Sequence, residues 1–122
     1  MSQFSSLTHG DIVAEMNKAL VEQQNLTAQF GVLADAMSKA KVDYKAAFAR
    51  ARIEARESGV FEGRKVTVDM AEDLATLKTE AELHAFTLAE ARYDTCRQAL
   101  ATVRARMEVL RSLMASHREI GA

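Results

Sequence analysis

The sequence predicts an all-α fold, a long antiparallel helical hairpin of coiled-coil type, and three observations lead there. The 122 residues include no Pro and no Trp, and 48% of them are hydrophobic while only 6% are aromatic. Apolar residues recur at alternating steps of four and three through both halves of the chain, which is the spacing of a heptad seam. Between the halves lies Ser58-Gly-Val-Phe-Glu-Gly63, a segment with two of the five glycines that stops a helix.

The first helix is predicted over residues 11–57. Thr8 or Asp11 offers its N-cap, and Ile12, Met16, Ala19, Gln23, Leu26, Phe30, Leu33, Met37, Ala40, Tyr44, Ala47 and Ala51 form its seam. A helix of that length runs on the order of 70 Å. Gly31 inside it is tolerated at roughly 1 kcal/mol. The turn is predicted over residues 58–66, with Gly59 as the left-handed cap and Gly63 in the turn proper.

The second helix is predicted over residues 67–119. Thr67 is its N-cap, and Asp69, Glu72 and Asp73 in the first turns have the sign that the positive end of the helix dipole favours. Its seam is expected at Met70, Leu74, Leu77 and Ala81, and again at Tyr93, Cys96, Leu100, Val103, Met107, Leu110 and Met114. Leu83, Ala85, Phe86 and Leu88 between these runs mark a stutter in the register. The length suits one domain, 1–122. A core with so few large side chains is thin, so the hairpin is expected to assemble into a homo-oligomeric helical bundle or ring.

Charge is distributed in four alternating blocks. Residues 1–38 sum to −3, residues 39–65 to +4, residues 66–96 to −5 and residues 97–122 to +3, giving the net −1. If the chain reverses near residue 61, facing positions add to roughly 122–124 and blocks of opposite sign meet. Asp11, Glu15 and Glu22 are then expected opposite Arg104 and Arg111, and the basic end of helix one opposite Asp69, Glu72, Asp73, Glu80 and Glu82. Arg97, Arg104, Arg111 and Arg118 recur every seven residues beside the seam, placed to pair across to Glu15 and Glu22.

Several functional classes lose their support at this point. No Gly-rich phosphate loop, nucleophile motif or His pair is present, which points to a non-enzyme without a cofactor. His9, His84 and Cys96 lack metal-ligand spacing; His84 reads as a half-buried polar residue near the stutter and Cys96 as a small core residue. A lone cysteine and the absence of a long apolar run point to the cytoplasm and to no membrane partner. The same residues also suit a helical adaptor, scaffold or host-defence inhibitor that acts by binding a protein.

The segment that asks for a ligand is Lys41 to Arg56. Projected at about 100° per residue, Lys41, Lys45, Arg52 and Arg56 fall on a strip about 60° wide that holds no carboxylate. Like charges four apart repel by a few tenths of a kcal/mol per pair, so the strip wants an anion. One claimant is the acidic start of helix two, and the other is a phosphate backbone outside the chain. Phe48 lies between seam and strip, where a ring could stack on an unpaired base, and Arg64 and Lys65 add two cations at the turn. Arg50 projects to the opposite flank, where Glu54 four residues on offers a local salt bridge.

Phe48-Ala-Arg-Ala-Arg-Ile-Glu-Ala-Arg-Glu-Ser-Gly59 resembles the basic segment that runs into a Ser-Gly turn in the UvsY-like family of phage recombination mediators. Lys65-Val-Thr-Val-Asp-Met-Ala71 and Leu110-Arg-Ser-Leu-Met-Ala-Ser-His-Arg118 are similar to small phage helical-hairpin proteins of this type. The resemblance implies a protein of the host cytoplasm that binds single-stranded DNA, forms a ring-like homo-oligomer and helps load a recombinase onto DNA covered by single-strand binding protein. The family's pair of DNA-contacting basic residues falls on Arg50 and Arg52, whereas helical projection prefers Arg52 with Lys45 and Arg56. The family's aromatic pair after the acid is replaced here by Ala55 and Arg56.

Overall fold

A computed structural model describes residues 7–121, so the extreme ends of the 1–122 assignment lie outside the described residues. The chain is mostly helical, in the order α1 (His9–Ser58), β1 (Val60–Phe61), β2 (Arg64–Lys65), α2 (Val68–Lys78) and α3 (Glu80–Gly121). It divides into two compact units, one drawn from Met1–Gly31 and Asp94–Ala122 and the other from Val32–Tyr93.

The two candidate caps of α1 work together. Asp11 N–H donates to Thr8 Oγ1 at 3.1 Å while Thr8 N–H donates to Asp11 Oδ2 at 3.0 Å, so each satisfies a donor that the helix start leaves open. The Thr8 backbone N–H, and next its hydroxyl, hold the Asp11 carboxyl below its ordinary range. All twelve seam positions predicted in α1 are buried or half-buried.

In the first unit Ile12 and Ala19 of α1 pack with Val103, Met107, Leu110 and Met114 of α3, flanked by Leu7, Met16, Leu26 and Leu113. Cys96 is buried here and its thiol donates to the Leu26 carbonyl at 3.5 Å. Positions 26 and 96 add to 122, the register expected of the antiparallel hairpin. The seam from Tyr93 to Met114 also lies where the sequence places it, each residue being buried or half-buried. The cross-helix ion pair differs: Glu22 meets Arg106, not Arg104 or Arg111. Arg111 pairs with Glu108, Arg97 with Asp94, and Glu15 with Lys18, each within its own helix. Neighbours three residues apart need no partner helix to meet, and they win over the longer reach.

The second unit departs from the sequence-based expectation in five respects. The turn contains a two-stranded antiparallel hairpin, Val60 opposite Lys65 and Phe61 opposite Arg64, so the all-α expectation gains four strand residues. Glu62 at φ 51° and Gly63 at φ 79° both adopt the left-handed backbone of a type I′ turn, whose twist matches the strands. Gly59 at φ 71° is the left-handed cap as predicted, and its carbonyl accepts from Val66 N–H at 3.0 Å, closing the hairpin's base.

The predicted second helix is interrupted once. Thr67 caps α2, accepting from Met70 N–H at 3.2 Å, but α2 ends at Lys78 and α3 begins at Glu80. At Thr79 the backbone N–H and the hydroxyl both donate to the Ala75 carbonyl, at 3.1 and 2.7 Å, and φ opens to −111°. The same hydroxyl back-bond occurs at Thr27, Thr76 and Thr102 within unbroken helix, so what sets Thr79 apart is its burial and its opened backbone. The buried line runs through Ala71, Ala75 and Thr79, while Leu77 and Ala81, expected in the seam, are exposed. His84 is exposed as well, not half-buried. Facing positions here add to more than the expected 122–124, with Tyr44 on Phe86 giving 130, because the hairpin and its connection to Thr67 displace the reversal point toward α2.

Candidate nucleic-acid interface

Every cation that the sequence nominates lies in the Val32–Tyr93 unit. Lys41, Lys45, Arg52 and Arg56 are exposed on the C-terminal half of α1, and Arg64 and Lys65 are exposed on β2. Among the described residues, none of these six side chains makes a hydrogen bond or an ion pair. Of the acids offered as an internal partner, Asp69, Glu72 and Asp73 at the start of α2 and Glu80 at the start of α3 are exposed and Glu82 is half-buried, and none makes an ion pair with the strip. From Lys41 to Arg56 the row rises about 22 Å along the helix. Four positive charges thus stand exposed on one face of α1, none of them in an ion pair among the described residues.

Arg50 sits apart, as the projection requires, but not in the pair expected for it. Glu54 takes Lys78 of α2 as its partner, across the helix pair. The hydrogen bond and charge of Lys78, with a smaller contribution from Arg50, hold the Glu54 carboxyl below its ordinary range. Lys78 reaches Glu54 because α2 lies against this flank of α1, where a shallow recess is lined by Ala47, Arg50, Ala51, Glu54, Lys78, Thr79 and Glu82. Lys78 was legible only as a charge on helix two, since its partner lies 24 residues away in sequence. Asp43, beside Arg50 in projection, pairs with Lys39 at 3.0 Å.

Phe48 is half-buried and edge-on to Tyr44, with ring centroids 6.1 Å apart, and Tyr44 in turn stacks on Phe86 at 6.2 Å. The three rings form an aromatic cluster of the kind that stabilises a helix pair. Phe48 is thus engaged by a ring one turn away on its own helix, and Tyr44 carries the contact across to α3. Among the described residues the exposed aromatic is Phe61, on β1, which sequence periodicity passes over because a two-residue strand has no period.

No family model, curated protein or solved structure matches the chain. No helix among the described residues is long and apolar enough to cross a membrane.

Proposed function

We propose that the protein is a non-enzymatic, single-stranded-DNA-binding protein of the recombination-mediator type, which tracks the sugar-phosphate backbone with the Lys41, Lys45, Arg52 and Arg56 strip. The observation that carries this reading is that the strip is exposed and unpaired although acids are available in the same unit. The resemblance of residues 48–59 to the UvsY-like family supports the choice of DNA as the anion. Recombinase and single-strand binding protein are the protein partners that this reading implies.

Four phosphate contacts on a single strand give a log–log salt slope of about −3, so affinity falls about 50-fold between 50 and 200 mM salt. One unit alone binds weakly under those conditions. Assembly of several copies places strips in series on one strand and multiplies the contacts through effective concentration. Self-association is therefore part of the mechanism.

The second reading, a helical adaptor, draws on Val42 and Ile53, which are 64% and 53% exposed and lie within about 20° of each other on α1. One titration separates the two. Fluorescent single-stranded oligonucleotide is added to wild type and to the Lys45→Glu, Arg52→Glu, Arg56→Glu variant at low and physiological salt. Salt-dependent binding that the variant loses is the expected result. Absence of binding at low salt, or binding indifferent to the charge reversal, overturns the DNA reading and leaves the adaptor.

A further inference from the structure

We propose that the β1–β2 hairpin is a stacking site for one unpaired base, with Phe61 as the platform and Arg64, on the same face, as the flanking phosphate contact. This rests on the single-strand reading above and adds to it a contact with the base. Six aromatic side chains fall among the described residues, and five are half-buried; Phe61 alone is exposed, at 43%. Among the described residues it makes no ring contact, whereas Phe48 is engaged by Tyr44.

The hairpin presents this ring in a fixed setting. Directly paired residues of a two-stranded ribbon lie on the same face, so Phe61 shares its face with Arg64, and Val60 shares the other with Lys65. The type I′ turn at Glu62-Gly63 and the Val66-to-Gly59 hydrogen bond hold both ends of the ribbon. A rigid aromatic face beside a guanidinium is what sequence-tolerant binders of unpaired strands use, because every base has a π-face and every linkage a phosphate. An anionic membrane offers charge too, but the unpaired cations of this unit stand in a line along α1, which suits a strand rather than a plane.

The test compares a labelled oligothymidylate with an abasic oligomer of equal length, using the full chain at low salt. Wild type is expected to favour the base-bearing strand. Phe61→Ala should weaken oligothymidylate binding about tenfold and leave the abasic affinity unchanged. The chain has no Trp, so Phe61→Trp introduces a single indole, which should keep the affinity and be quenched by oligothymidylate but not by the abasic strand. If both oligomers bind and neither Phe61→Ala nor the indole responds to the bases, the stacking site is overturned and the backbone-tracking reading survives. If wild type binds neither oligomer, both fall. An indole that shifts to the blue on anionic vesicles yet ignores oligothymidylate overturns the site in favour of a lipid surface.

Discussion

At Thr79 one hydroxyl and one backbone N–H both donate to the Ala75 carbonyl, and this buried residue stands at the break between α2 and α3. Single side chains elsewhere carry comparable weight. Leu110 is fully buried among Ile12, Val103, Met107 and Met114, so Leu110→Ala should cost about 2–5 kcal/mol, read by denaturant unfolding. Gly31 is the opposite case. A Cβ there meets nothing within 4 Å and the residue is in mid-helix, so Gly31→Ala should raise stability by up to about 1 kcal/mol; a loss of stability would show that the open space around it is in use. Glu54 links stability to pH. Lys78 depresses its carboxyl, so the pair's contribution is present above the ordinary glutamate range and is lost as pH falls through the depressed value. Melting curves of Glu54→Gln should therefore differ from wild type at neutral pH and converge with it in acid.

Among the elements, the hairpin depends most on local chemistry. A type I′ turn wants Asn-Gly, and this chain has Glu62 at a positive φ. Glu62→Asn should relieve that backbone and remove a negative charge from beside Arg64 and Lys65. The expected result is tighter oligonucleotide binding with unchanged helix content by circular dichroism. Weaker binding would mean that Glu62 contributes more than turn geometry. Within α1 the charged rows separate cleanly by partner: Asp43 and Glu54 are taken by Lys39 and Lys78, and the Lys41 to Arg56 strip is taken by nothing in the unit. This division was visible in helical projection for Arg50 against Arg52, since it needs only 100° per residue. The identity of Glu54's partner was not, because it depends on where α2 lies.

For the molecule as a whole, the thinness of the core is the governing quantity. Ile12 and Leu110 are the largest fully buried side chains among the described residues, while Val32, Val42, Ile53, Leu77 and Val68 are each more than half exposed. Burying these side chains against another copy would add apolar contact that the single chain lacks. Sedimentation at micromolar concentration is expected to give a mass several times 13.4 kDa. A monomer that still binds single strands tightly at physiological salt would remove assembly from the mechanism.

Whatever repeats or caps locally was legible in the chain itself: the α1 seam, the Thr8, Gly59 and Thr67 boundaries, and the row of cations. Periodicity, dihedral preference and like-charge spacing act within a few residues, so one chain suffices to read them. Tertiary packing settled that Glu54 belongs to Lys78, that Tyr44 stacks on Phe86 and that Phe61 is left outside. Each of these depends on which surfaces the helix pair buries against one another, and that choice is made by packing across dozens of residues of intervening chain.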